Sequence, residues 1–288
     1  MDDLKLQAIA LYDRFTHEGM DRRDFFAQMT RIAGSAAAAN LLIGSIAARA
    51  DAAPLSNPED PTLVITKGKL GLDSKLSGYV AAMKAPAKRG LVLVIHENRG
   101  LNAHIEDVAR RVALAGFIAI APDLLSPLGG TPSDEERARD LIGKLDITAS
   151  VKQTIDLGEH ARLLRHANGK LGIVGFCWGG AFVDRFAVAA GKKLDAGVAY
   201  YGPAPDPAEA AKVEAPLLLH YAGLDTRVGA TAGPWVAALR AAHKEVTSFS
   251  YPGVDHAFNN DTSADRYNKP AADLAWGRTI AFLHDQLK

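Results

Sequence analysis

The stretch that most constrains this chain is Leu171-Gly172-Ile173-Val174-Gly175-Phe176-Cys177-Trp178-Gly179-Gly180. An apolar run leads into a G-x-C-x-G turn, and the helix-compatible Ala181-Phe182-Val183-Asp184-Arg185-Phe186 follows. Such a strand–turn–helix presents its central residue on a strained backbone, where a neighbouring Cβ would clash and glycine is needed. The sulfur then lies at a helix N-terminus, whose partial positive charge favours thiolate over thiol. The competing reading is an inert core cysteine, a common fate of the free thiol. The rest of the chain decides between them.

Around this turn the pattern is repeatedly strand, loop, helix. Thr62 to Lys67 and Leu76 to Met83 read as a hairpin of strands. The uninterrupted apolar runs 90–95, 117–121, 171–176, 196–201 and 216–221 read as strands buried on both faces of a parallel sheet. A last strand spans 246–251. Helical spacing covers 105–112, 134–145, 150–166 and 228–242, and a terminal helix over 271–287 carries Leu274, Trp276, Ile280 and Phe282. Repeated units of this kind predict an α/β fold, a doubly wound and mostly parallel sheet with helices on both faces. Functional residues then belong in loops at the C-terminal ends of strands.

Three residues occupy such loops in the order Cys177, Asp225, His256. Nucleophile, acid, histidine is a workable hydrolytic order: the imidazole takes the thiol proton and the carboxylate orients the ring. Each residue taken singly has an ordinary structural explanation; their joint placement does not. The chain resembles the dienelactone hydrolase family of α/β-hydrolases from about Thr62 onward. The resemblance rests on His96-Glu97-Asn98-Arg99-Gly100, Ala121-Pro122-Asp123-Leu124, Gly175 to Gly180, Tyr201-Gly202, Gly223-Leu224-Asp225 and Asp255-His256-Ala257-Phe258.

That resemblance implies an α/β-hydrolase fold and hydrolysis of carboxylic esters or lactones without a cofactor or metal. It implies Cys177 as nucleophile, His256 as base, Asp225 as orienting acid and Glu97 as a carboxylate contacting the cysteine. It also implies an oxyanion hole from the backbone N–H groups of Trp178 and Asn98. Arg99, Tyr201, Arg227 and Phe258 are the expected pocket residues. Two family arginines that grip a substrate carboxylate are replaced here by Ser126-Pro127 and Asn259-Asn260. Neither replacement offers the planar bidentate donor that carboxylate recognition prefers. The expected substrate is therefore an ester or lactone other than dienelactone. Other outcomes for the same residues are a thioester or peptide hydrolase, or a non-catalytic descendant that binds ligands or senses oxidants through Cys177.

Composition narrows the partners. Hydrophobic residues make up 48% of the 288, enough for a large core, while 33 basic and 33 acidic residues leave no formal net charge. Nucleic-acid binding, which draws on a basic excess, gains no support. One cysteine excludes an intramolecular disulfide. Residues 1–54 form a separate N-terminal extension, 55–61 a proline-punctuated linker, and 62–288 the hydrolase domain. The extension has two readings. Arg22-Arg23, the alanine-rich uncharged run 32–48 and Ala50-Asp51-Ala52 resemble a twin-arginine export signal, which implies a periplasmic protein. Alternatively 1–50 is an uncleaved helical hairpin of a cytoplasmic protein, with Leu41, Leu42, Ile43 and Ile46 buried against the domain or a second subunit. The run is too short and too weakly apolar for a stable membrane span.

Overall fold

The alternating apolar runs assemble into one eight-stranded sheet in the order β1-β2-β4-β3-β5-β6-β7-β8. The computed structural model describes residues 3–17, 20–47, 54–71, 74–263 and 265–288. The strands are β1 (Leu63–Lys69), β2 (Ser77–Met83), β3 (Arg89–Ile95), β4 (Ile118–Asp123), β5 (Ala167–Phe176), β6 (Ala196–Tyr200), β7 (Leu217–Ala222) and β8 (Val246–Tyr251). β1 and β2 pair antiparallel, as does β2 with β4; β3 to β8 run parallel. β5 lies at the centre, with Ile173 paired to Leu93 of β3 and Gly197 of β6.

The parallel strands are apolar because both faces are covered. Leu91, Leu93 and Ile95 point to one core, shared with α6 (Ile147–Ala161), α7 (Trp178–Ala190) and α8 (Thr226–Ala241). Val92 and Val94 point to the other, against α4 (Ala103–Leu114) and α9 (Lys269–Gln286). The short α5 (Glu135–Ile142) packs Ala138 and Ile142 on Leu125, with Trp178 at its edge. β4 continues past the expected Pro122 stop. Its pairing with β3 ends at Ile120, so the proline interrupts no bond to that neighbour, while Pro122 still lies opposite Gly78 of β2.

Three expectations change. The terminal helix α9 does not bury Leu274, which is 51% exposed; its buried face is Ala271, Ala272, Ala275, Thr279 and Leu283. Small residues let this helix approach the sheet, where Gly90 and Gly172 receive Leu287. The expected linker 55–61 is docked: Ser56 is buried, and its N–H and Oγ both donate to Asp107 Oδ1 of α4, at 2.8 and 2.6 Å. The N-terminal extension forms three helices rather than a hairpin: α1 (Asp3–His17), α2 (Arg22–Ala33) and α3 (Ala36–Ala47). Gly34, at φ 81°, ends α2 in the left-handed conformation and reverses the chain. The unit has its own core, including Ile9, Tyr12, Phe25, Met29 and Ile46. Leu42 and Ile43 are partly buried against it, whereas Leu41 is 77% exposed. The cleavage-site match Ala50-Asp51-Ala52 lies outside the described residues. No helix among those described is long and apolar enough to cross a membrane.

Two predictions follow from this packing. Leu283→Ala should lower stability by about 2–5 kcal/mol through lost transfer energy and a cavity, and Leu274→Ala by less than about 0.5 kcal/mol, as read from urea midpoints. The second concerns Asp184, buried in α7, whose Oδ1 accepts from Trp235 Nε1 at 3.2 Å. Burial pushes its carboxyl up to about 7, outweighing the Trp235 bond and the Arg185 charge. The folded protein then holds a proton that the unfolded chain releases near pH 4, so this contribution to stability declines as pH rises from about 4 through 7. Asp184→Asn should gain on the wild type in urea midpoint between pH 5 and pH 8; parallel curves would remove Asp184 as the source.

Candidate active site

The turn after β5 holds Cys177 at φ 56° and ψ −115°, outside the regions L-residues favour. It can do so because α7 begins very close to the sheet. A Cβ on Gly175 would collide with the Gly179 carbonyl, and one on Gly179 with the carbonyls of Ile95 and His96. The Cys177 N–H donates to the Tyr200 carbonyl at 3.0 Å, tying the turn to β6. Trp178 is the first residue of α7, where backbone N–H groups have no intrahelical acceptor.

Asp225 follows β7 and divides its two oxygens between two tasks. Oδ1 accepts from the Val228 N–H at 3.0 Å and caps α8; Oδ2 accepts from His256 Nδ1 at 2.6 Å. Burial raises the Asp225 pKa, but the His256 bond and charge, the Val228 N–H and Arg227 together hold it below the ordinary value. An ionised carboxylate only accepts, so Nδ1 carries the proton and Nε2 is the basic nitrogen. His256 lies in the loop after β8, its ring edge-on to Tyr201 at 5.1 Å between centroids. Cys177 and His256 line one cavity of about 370 Å³, together with Glu97, Asn98 and Arg99.

Glu97, at the end of β3, is buried with both oxygens occupied. Oε2 accepts from Asn260 Nδ2 at 2.8 Å, and Oε1 from the Tyr201 hydroxyl at 3.4 Å. Burial, reinforced by the Glu97 and Cys177 charges, holds the Tyr201 phenol well above its usual value, so it remains a donor. Asn260 thus has a function that the sequence reading missed, having registered it only as the replacement of an arginine. Its own Oδ1 accepts from the Thr262 N–H and hydroxyl at 3.0 and 2.7 Å. His96 was likewise missed. Its Nε2 accepts from the Leu124 N–H at 3.3 Å, which leaves Nδ1 to donate to the Glu97 carbonyl at 2.7 Å. Burial lowers its pKa and keeps the ring neutral. The ring stacks on Trp178 at 5.6 Å, joining the Glu97 loop to the Cys177 turn.

The four expected pocket residues separate. Arg99 does line the cavity with Cys177, and its Nη1 pairs with Glu135 Oε2 at 3.1 Å. Tyr201 and Phe258 are fully buried behind His256, 5.4 Å apart between ring centroids, and support the site rather than line it. Arg227 borders a second cavity of about 880 Å³ beyond Trp178. Among the described residues no cluster of side chains could hold a metal ion.

Sheet order, elbow and strand-end residues define the class: an α/β-hydrolase. The sequence profile described as "Dienelactone hydrolase family" matches residues 76–287. A Salmonella typhi protein named "Putative carboxymethylenebutenolidase" is 31% identical over 253 residues, covering 79% of this chain and 93% of its own. A Klebsiella pneumoniae crystal structure titled "Putative Dienelactone Hydrolase" superposes with a TM-score of 0.70 at 28% identity, covering 77% of this chain and 98% of that one. The Anabaena variabilis dienelactone hydrolase shares the fold at a TM-score of 0.60 and 22% identity, with 78% and 98% coverage. This chain belongs to the dienelactone hydrolase family, and it is a hydrolase.

Freeing one oxygen of Glu97 tests its reach. Asn260→Ala should change both the rate of Cys177 alkylation by iodoacetamide and its dependence on pH, because the chain has a single thiol to label. A profile superimposable on the wild type would separate Glu97 from the sulfur.

Proposed function

We propose that this protein hydrolyses carboxylic esters or lactones through Cys177, His256 and Asp225, and that its natural substrate is not dienelactone. The observation that carries this reading is the 2.6 Å His256–Asp225 pair, whose histidine borders the same cavity as a cysteine on a strained strand-to-helix turn. His256 Nε2 takes the thiol proton as Cys177 Sγ bonds to the ester carbonyl carbon, and the C=O π pair moves onto oxygen. The backbone N–H groups of Trp178 and Asn98 receive that oxyanion; a donor of this kind contributes about 3–4 kcal/mol in the transition state. Collapse breaks the C–O bond, and His256 returns its proton to the leaving alkoxide. Water, deprotonated by His256, then attacks the thioester, releasing the carboxylic acid and the thiol.

Glu97 acts before this cycle. A carboxylate near sulfur disfavours a second negative charge, so Glu97 keeps the resting thiol protonated. A protonated thiol also resists the sulfenic-acid pathway. The substrate preference rests on what stands in place of the family's arginines. Asn260 is committed to Glu97, and the Ser126 hydroxyl donates to the Asp123 carbonyl at 2.6 Å while accepting from the Ser77 N–H. Neither offers a charged grip for a substrate carboxylate at the family's two positions; Arg99, which borders the cavity, pairs with Glu135.

Measured with p-nitrophenyl acetate, Cys177→Ala and His256→Ala should each remove nearly all activity, and the double variant should be little worse than either, because members of one catalytic unit are not additive. Asp225→Asn should reduce kcat strongly with the fold intact by circular dichroism. Retention of more than a few per cent of activity in Cys177→Ala would rule out cysteine as the nucleophile.

A further inference from the structure

The N-terminal helices lie directly over the nucleophile. Tyr12 and Phe15 of α1, Phe25 of α2 and Asn40 of α3 line the same cavity as Cys177 and His256. The unit is fastened to the loops that carry the chemistry. Lys5 Nζ pairs with Asp265 Oδ1 at 2.6 Å, and Arg266 lies over the Tyr12 ring at 5.8 Å; both partners belong to the segment after His256. Asn98, the residue beside Glu97, donates through Nδ2 to the Thr16 carbonyl at 3.4 Å. On the α5 side, Arg22 pairs with Glu136 at 2.8 Å, and the Arg139 guanidinium lies 4.9 Å from the Phe15 ring centroid.

Phe15 has a particular place. With Thr16, Arg22, Asn98, Glu136 and Arg139 it lines both the cavity of about 370 Å³ that holds Cys177 and the cavity of about 880 Å³ beyond Trp178, and it is the one aromatic residue of the six. Its ring is stacked on Phe25 at 4.2 Å and 14°. The smaller space is near the lower end of the ~300–1,000 Å³ usual for small-molecule sites. Tyr12, Phe15, Phe25 and Phe26 give it an aromatic wall on the side of the N-terminal helices, while charged side chains, Arg99 and Arg139 among them, border it elsewhere.

We propose that α1, α2 and α3 are a resident cap that completes the substrate chamber, and that Phe15 limits the esters accepted to those with short or compact acyl groups. This rests on the ester-hydrolase reading given above. It requires that the helices remain attached to the active enzyme. Removing the Phe15 ring joins the two cavities and gives a long acyl chain somewhere to extend.

The test uses the full chain, in which Cys177 is the one thiol. In the wild type, iodoacetamide should alkylate Cys177 far faster than the bulky fluorescein-5-maleimide. Met29→Asp puts a charge at the centre of the cap's own core, which is separate from the two sheet cores. It should narrow the rate ratio at least tenfold; an unchanged ratio in a variant that has lost helix signal overturns the cap. Phe15→Ala should raise kcat/KM for p-nitrophenyl octanoate relative to acetate at least tenfold, and Phe15→Trp should lower it. An octanoate-to-acetate ratio unmoved in both variants overturns the assignment of Phe15, and these two keep the proposal testable if Met29→Asp does not fold. Alkylation needs no turnover, so a wild type that cleaves no ester would defeat the hydrolytic reading while the labelling ratio still judges the cap.

Discussion

The close approach of α7 to the ends of β3 and β5 is the constraint on which this site depends. With glycine at 175 and 179, the helix starts against the Ile95 and His96 carbonyls and leaves Cys177 no relaxed conformation. A residue held in such a region costs about 1–3 kcal/mol and persists only where its surroundings over-determine it. Here they do. The Cys177 N–H is bonded to β6, Phe182 and Phe186 of α7 are buried in one sheet core, and His96 stacks on Trp178. Of the four non-glycine residues with positive φ among those described, Cys177, Tyr201 and Ala257 all belong to this neighbourhood. The strain is concentrated where three strand-end loops meet.

Two carboxylates connect those loops, and each divides its oxygens. Asp225 caps α8 with one oxygen and orients His256 with the other. Glu97 accepts from Tyr201 after β6 and from Asn260 after His256. Geometry that might have depended on one flexible side chain is thus shared with a helix terminus and a buried phenol. Asn260 is tied in at both ends of its amide, donating to Glu97 and accepting from Thr262. The cavity that results is compact, and residues of the N-terminal helices form part of its wall.

Much of this was legible in the residues. Continuous apolar strands announce burial on both faces, so the parallel sheet and its helices could be read from pattern alone. The G-x-C-x-G turn was legible as a tight strand-to-helix turn because glycine is needed on both sides of Cys177 where the helix meets the sheet. Pattern failed where burial depends on fit rather than on hydrophobicity. In α9 the large Leu274 faces solvent while alanines and Leu283 face the sheet, where Gly172 leaves room for Leu283 and Leu287.

The sequence by itself determined the fold class and the placing of Cys177, Asp225 and His256 after strands, because hydrophobic period and glycine placement act over a few neighbouring positions. Tertiary structure decided the rest. Asn260 is 163 residues from the Glu97 it holds, Lys5 is 260 from its partner Asp265, and Phe15 reaches the cavity of a cysteine encoded far down the chain. No local pattern encodes such pairs. They exist because a parallel sheet gathers the C-terminal ends of distant strands at one edge, and whatever packs over that edge becomes part of the site.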